Sequence, residues 1–466
     1  LYFELKTLFL QRNLNKISSL SVKISMMFTL RNCILPIIFL TTLLFSCKTG
    51  TVNLFKAASP HEQYERKLTS TGFDKTAAGR AWIVAAQSSL QKPLQVKLPF
   101  KDRGYFSSEA VPAVAYSFAA IKGQKISISI SQKPVENFRI YVDLMFLENQ
   151  KMKSLAFIDT VKSAVEYEIS NTGDYVVRLQ PELLTSGEYT LEINYGPSLA
   201  YPIKTTSRNN IQSFFGDGRD ANTRKHEGID MFAPRLTPVI AAAEGTVTRV
   251  NENNLGGKVV WMRPNGKDYT LYYAHLDKQV ALEGQQVAIG DTLGLMGNTG
   301  NAKTTAPHLH FGIYASGGAV DPFPYVNPVV KPLPAITAPA TNLNATMRTN
   351  RSTALYAVAE AGGVTITNLP SNAIVKVNSA NRDWYRVSLP DSKEGFLQSN
   401  RLVKMAKAIS SIKIKAQQQM VLDKPDSTAA VKVIVPVNSP AEVLGYSGNY
   451  SLIKALDDVT GWVMTR

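Results

Sequence analysis

Apolar residues change their spacing along the chain, and each spacing predicts a different element. Over Glu62 to Leu68 and Lys75 to Gln91 the pattern is helical: Ala78, Trp82, Ala85 and Ser89 recur every three or four positions on one narrow face. Gly72 separates the two predicted helices and Pro93 ends the second, with Trp82 as their core residue. From Val96 to about Tyr195 the period falls to two. Ile126, Ile128 and Ile130 alternate with Lys125, Ser127 and Ser129, while Gly173-Asp174-Tyr175 and Gly187-Glu188-Tyr189 each open another alternating run. A β-sandwich over 96–200, behind a tether and helical pair over 48–95, fits this pattern.

Glycine turns between short β-branched runs continue over 210–326, as an antiparallel β-domain requires. Pro328, Pro332, Pro334 and Pro339 then mark a stiff linker over 327–342. Two similar units follow, at 343–404 and 408–466. In the first, Asp383-Trp384-Tyr385-Arg386-Val387 leads to Glu394-Gly395-Phe396-Leu397. In the second, Asn449-Tyr450-Ser451-Leu452-Ile453 leads to Thr460-Gly461-Trp462-Val463. The fold class expected is mainly β and multidomain.

Ahead of all this, residues 1–47 read as a leader, with a start at Met26 or Met27. Arg31 precedes an apolar run from Ile34 to Phe45 that is short for a membrane-spanning helix and reads as a secretory signal. Leu44-Phe45-Ser46-Cys47 resembles a bacterial lipoprotein cleavage box, which implies Cys47 as the lipid attachment site; the alternative is a plain signal with an incidental cysteine. That resemblance implies a membrane-anchored protein of the cell envelope, facing the periplasm or the exterior.

Composition narrows the chemistry. With 466 residues, 44% hydrophobic and 19% charged, the chain suits several globular domains. Its net charge is +15, and removing the five basic and one acidic side chains of residues 1–47 leaves +11. Such a surface suits an anionic partner such as cell wall or anionic lipid, although solubility alone would also explain it; no nucleic-acid motif is present, and none is expected as a partner. Both cysteines, Cys33 and Cys47, precede residue 48, so any metal held by the rest of the chain is held by nitrogen and oxygen.

Four of the five histidines, His226, His275, His308 and His310, fall within one stretch of about a hundred residues. Neutral imidazole is the commonest zinc ligand, and an aspartate near a pair of them suggests a site of two histidines and one carboxylate with an open position. In His308-Leu309-His310 the two rings point to one face of a strand while Leu309 points into the packing. His226-Glu227-Gly228-Ile229-Asp230 superficially copies half of a His-Glu-x-x-His zinc helix. Gly228 within it and Pro234 after it argue against a helix, so Glu227 is expected to be solvated rather than to face the metal.

This stretch resembles the lysostaphin/LytM-type zinc endopeptidases that cut peptidoglycan peptides. The likeness runs through Phe215-Gly216-Asp217, His226-x-Gly228-x-Asp230, Thr237-Pro238-Val239, Glu244-Gly245-Thr246-Val247, Tyr273-Ala274-His275-Leu276, Gly297-x-Thr299-Gly300 and Pro307-His308-Leu309-His310-Phe311. Leu236 stands where the family usually has glycine. The resemblance implies zinc held by His226, Asp230 and His310, with His275 and His308 as catalytic groups. Two imidazoles and one carboxylate leave zinc a net positive charge, which brings the pKa of a water in its fourth position to about 7. The other two histidines can then orient that water and move protons.

Other residues divide less cleanly. Asp217, Arg219 and Asp220 either contact substrate or form a solvated turn, and at least one of Tyr272 and Tyr273 is core. The sandwich resembles small jelly-roll-like domains beside secreted peptidases. The C-terminal units resemble bacterial SH3-like barrels, which implies wall-peptide binding with Trp384 and Tyr385 on a groove, against a core reading that is the stronger one for Trp384. The expected function is therefore peptidoglycan endopeptidase. The alternative is a non-catalytic wall-binding regulator of the amidase-activator type, and protein regulators remain unidentified.

Overall fold

A computed structural model describes residues 58–149, 151–158, 163–205, 211–219 and 221–464. The leader, Cys47 and Asp220 lie outside the described residues. The chain divides into two units after Ala58, and every element below belongs to the second, Ser59–Arg466. No helix among the described residues is long and apolar enough to cross a membrane.

The first helix, Pro60–Ser70, begins at a capping box. Ser59 Oγ accepts from the Glu62 amide at 3.2 Å, and the Glu62 carboxylate accepts from the Ser59 amide at 3.1 Å. The second helix, Ala77–Gln91, is capped by Thr76. Trp82 on it is 1% exposed, stacks on His61 with centroids 4.6 Å apart, and donates its indole N–H to the Pro181 carbonyl at 2.9 Å. The helical pair is thereby fastened to a sheet of five strands, ordered Leu94–Gln95, Val114–Ala120, Gly173–Pro181, Ile140–Glu148 and Lys151–Phe157.

A second sheet packs on the first through the alternating row that includes Ile126, Ile128, Leu191 and Ile193. Its strand Phe100–Phe106 pairs on one side with Gly187–Pro197. On the other side it pairs with Ile374–Asn381, at Arg103↔Ala380 and Gly104↔Ser379. One sheet of eleven strands therefore runs from the sandwich into the unit expected at 343–404. The six strands from Ser410–Lys413 to Val459–Met464 form a separate sheet. The strand pairings close no barrel, so the expectation of two barrels gives way to open sheets, one of them continuous with the sandwich. The pairing with Ile374–Asn381 covers what would otherwise be a bare sheet edge.

Trp384 is 5% exposed and Tyr385 fully buried, so both are core and neither lines a groove. The proline stretch is also held in place. The Thr337 and Ala338 amides each donate to the Arg382 carbonyl at 2.8 Å, and the Tyr385 hydroxyl donates to the Pro339 carbonyl at 2.8 Å.

Residues 211–320 build an antiparallel sheet of ten strands. Its main path runs Ile211–Ser213, Ile229–Phe232, His308–Ala315, Thr270–Gln279, Gly257–Pro264, Gly245–Asn253, Gln286–Val287. One face carries the core: Ile229, Met231, Leu271, Tyr273, Leu309, Phe311 and Ile313. Side chains alternate along a strand, so Asp230, His308 and His310 lie on the opposite face.

Candidate metal centre

The register assembles the centre. Asp230 lies opposite His310, and Phe232 opposite His308, across an antiparallel pair. Ser213 faces Asp230 from the other side. His226 enters from just before the Ile229–Phe232 strand. Its Nε2 lies 3.0 Å from Asp230 Oδ1 and 2.9 Å from His310 Nδ1, and His310 Nδ1 is 3.0 Å from the same oxygen. Gly228 makes room for this convergence: a Cβ there would meet the His310 ring at 2.7 Å and the Phe311 carbonyl at 2.6 Å.

The hydrogen bonds around the ring assign its proton. His226 Nδ1 is 2.9 Å from the Phe214 carbonyl, which can only accept, so the neutral ring carries its proton on Nδ1 and turns the Nε2 lone pair inward. Burial works against ionising Asp230, but the imidazoles of His226 and His310, when they carry a proton toward it, outweigh this and hold its pKa well below the usual carboxylate range. Burial first of all lowers the pKa of His310, against the pull of Asp230. The His226 lone pair and the Asp230 carboxylate thus face one another at 3.0 Å, and a cation between them would reconcile them. All three donor atoms lie within 4.8 Å of one another. Two imidazoles and a carboxylate with no thiolate are a zinc donor set that leaves one position open.

His275 reaches the same face by an irregularity. In a regular strand it would share the core side of Leu271 and Tyr273. It instead adopts φ 64°, in the left-handed region, and its pairing with Gly257–Pro264 slips a register there. Leu276 returns to the core beyond it, so the bulge re-aims one side chain. Its Nδ1 donates to the Thr299 carbonyl at 2.8 Å, leaving Nε2 unprotonated. Burial, then the neighbouring His308 and His310, lower its pKa to about 4. His308 Nδ1 donates likewise to the Ala306 carbonyl at 2.9 Å. The two rings meet edge to face with centroids 4.9 Å apart, and Phe232 stacks on His308 at 4.8 Å.

A cleft of about 690 Å³ opens over these groups. Its walls include Phe232, Leu255, Trp261, Tyr272 and Tyr314, and every lining residue falls between Ser213 and Tyr314. Among the described residues, then, neither the sandwich nor the C-terminal sheets line the centre. Glu227 is exposed at the cleft edge, as its place outside a helix implies. Of the tyrosine pair, Tyr273 is core and Tyr272 lines the cleft. Asp217 folds back on its own loop, accepting from the Phe214 amide at 2.7 Å. Arg219 bonds Asp230 at 2.9 Å, a contact that no spacing in the sequence announces.

Residues 224–322 match Peptidase family M23, so the chain carries an M23 peptidase domain. Over 127 residues it is 38% identical to an uncharacterized metalloprotease of Haemophilus influenzae, a match covering 26% of this chain and 26% of that one. It is 35% identical over 94 residues to the peptidoglycan DD-endopeptidase ShyC of Vibrio cholerae, covering 20% and 21%. It is 37% identical over 103 residues to the uncharacterized lipoprotein YgeR of Escherichia coli, covering 22% and 40%. The chain thus matches about a quarter or less of the first two relatives' length and two fifths of the third's. Family and donor set agree on zinc as the cofactor of this domain.

Proposed function

We propose that this protein is a zinc-dependent endopeptidase of the cell envelope that hydrolyses peptide bonds in peptidoglycan cross-links or stem peptides. His226, Asp230 and His310 hold the metal, and His275 and His308 are the catalytic groups. The observation that carries this reading is the convergence of two inward-facing imidazoles on an ionised carboxylate, beside two further rings whose Nε2 atoms are free. When bound, zinc supplies a Lewis acid and a nucleophile available at neutral pH.

The chain's own residues do the rest. Carbonyls of Thr299 and Ala306 fix the tautomers of His275 and His308, so each ring presents a base and not a donor to the cleft. Such a base takes a proton from the attacking water and returns one to the departing amide nitrogen. Phe232 and His308 stack, which limits rotation of the ring that moves the proton. The open cleft, lined by no flanking sheet, suits a substrate that is part of a large polymer.

The peptidoglycan assignment is supported by the name of the ShyC relative, and the envelope location by that of YgeR. Lipid attachment at Cys47 belongs to the same proposal. The test is digestion of purified sacculi with and without a chelator, with products read by mass spectrometry. Defined muropeptides that disappear on chelation are expected. Intact sacculi after treatment with zinc-loaded protein would overturn the substrate, and a variant Cys47→Ala that still fractionates with membranes would overturn the anchor.

A further inference from the structure

Asp230 has two carboxylate oxygens, and they face different partners. Oδ1 lies 3.0 Å from both His226 Nε2 and His310 Nδ1, whereas Oδ2 accepts from the Arg219 guanidinium at 2.9 Å. The same guanidinium donates to Ser213 Oγ, which stands 3.3 Å from His226 Nδ1 and 3.1 Å from the Asp217 carboxylate. One arginine therefore touches the aspartate directly and reaches one of the two histidines through a single serine. Arg219 lies outside the residues that match the family, 224–322.

We propose that Arg219 is a positioning residue of the metal centre: it holds Asp230 by Oδ2 so that Oδ1 alone is offered to the cation. The inference rests on the metal-centre reading given above. A carboxylate with nothing on its second oxygen can rotate and ligate through either oxygen or both. Both bonds leave one guanidinium nitrogen, Nη2, so Asp230 and Ser213 share it and the planar group sets the direction from which Oδ2 is held. The partners that orient a ligand commonly matter almost as much as the ligand itself.

Arg219 stands on a short hairpin. Gly218–Arg219 pairs with Arg224–Lys225. A Cβ on Gly218 would sit 1.7 Å from Asn222 Oδ1, and Ala221 and Asn222 both take positive φ to close the turn. Side-chain exposure is 28% for Arg219 and 11% for Asp230, so the pair is shielded far more than a solvent-facing one. It also faces the cleft, with Arg219 among the lining residues.

Removing the arginine has two opposed effects on metal affinity. Losing a nearby cation favours zinc, while freeing the carboxylate disfavours it. If positioning dominates, the second effect wins, and the sign of the change decides the matter. The experiment compares the protein with Arg219→Met and Arg219→Lys by competition for zinc against a chromophoric chelator. It adds the visible spectrum of the cobalt-substituted centre and thermal unfolding of the metal-stripped protein.

For Arg219→Met the zinc dissociation constant should rise roughly 10- to 100-fold and the cobalt spectrum should change, while unfolding of the metal-stripped protein stays where it was. Arg219→Lys, which restores the charge without the planar guanidinium, should fall between. An unchanged or tighter zinc affinity in Arg219→Met, with an unchanged cobalt spectrum, overturns the proposal. If the methionine variant does not fold, the lysine variant decides on the same criteria. Should the unsubstituted protein bind no zinc, the metal-centre reading itself fails, and that result is distinct from a normal affinity left untouched by the substitution.

Discussion

Among the described residues three buried aspartates have an arginine nearby, and two of them, Asp102 and Asp230, behave in opposite ways. Asp102, at the junction between the sandwich and the following strands, is 1% exposed and accepts from the Tyr116 and Tyr189 hydroxyls at 2.7 and 3.0 Å. Burial raises its pKa, and the charge of Arg386 and the hydroxyl bonds only partly offset that. Asp230, at the centre of the open sheet face, has its pKa lowered because the imidazoles outweigh burial. The difference lies in the partners. Around Asp102 two tyrosine hydroxyls donate to Oδ2 and Arg386 brings a positive charge, while Oδ1 has no hydrogen-bond partner. Around Asp230 one neighbour, His226 Nε2, brings a lone pair instead of a donor, an arrangement that a cation between them would complete. Burial alone does not mark a functional carboxylate; the chemistry of what faces it does.

The strongest way to break this contrast is to delete a ligand. His226→Ala should purify without zinc by elemental analysis and show no measurable turnover, while the metal-stripped protein unfolds at nearly the same denaturant concentration. Zinc at full occupancy in this variant would refute the ligand assignment. His275→Ala should separate binding from chemistry. Zinc content stays normal and turnover falls about 10²- to 10⁴-fold, the usual contribution of a general base. Equal loss of zinc and activity would place His275 among the ligands instead.

Asp102→Ala should do the reverse of His226→Ala. It leaves two buried tyrosine hydroxyls without their acceptor while Arg386 keeps its ion pair with Glu394, which costs about 1–3 kcal/mol of stability, as for a buried polar group left unsatisfied. The loss would appear as early urea unfolding of the junction, with zinc content unchanged. If Asp102→Ala is as stable as the unsubstituted protein, the junction is not held as described.

The contrast also explains what the sequence revealed. His226, Asp230 and His310 were legible because their spacing survives translation into strands: His308 and His310 two apart on one face, Gly228 against a helix. The sandwich was legible because Ile126, Ile128 and Ile130 keep period two. His275 was legible only through family resemblance, since strict alternation would have buried it with Tyr273; its bulge is a slip against the neighbouring strand Gly257–Pro264. Arg219 was undecidable between a solvated turn and a substrate contact, because the residue it touches is brought near by the fold and not by the chain. No closed barrel appears at 343–404 or 408–466, and for the first of these units the reason is related. Local alternation describes strands well but says nothing about which edge a strand will join, and Ile374–Asn381 joins the sandwich.

A last prediction sharpens the comparison at a third buried group, His61. It is 1% exposed, its Nε2 is 2.7 Å from Gln180 Oε1, and its Nδ1 has no hydrogen-bond partner. Trp82 stacks on one face and Tyr141 meets the ring edge-on. The buried Arg178–Asp143 pair, 2.6 Å apart on the neighbouring strands, faces it with both signs. Burial, then the Arg178 charge, lower the His61 pKa to about 4, against the weaker pull of Asp143 and Gln180. Above about pH 6.5 the ring is neutral whether the chain is folded or not, so it makes stability independent of pH. Between about 6.5 and 4 the unfolded chain takes up a proton that the folded one refuses, so stability falls as pH falls and levels off below about 4. The full loss is roughly 3 kcal/mol, from 1.36 kcal/mol per pKa unit. Hydrogen exchange in the Ala77–Gln91 helix, compared at pH 7 and pH 4 with His61→Gln, isolates this contribution. The substituted protein should lose less protection on acidification by about that amount, and parallel pH profiles would show that the refused proton is not at His61.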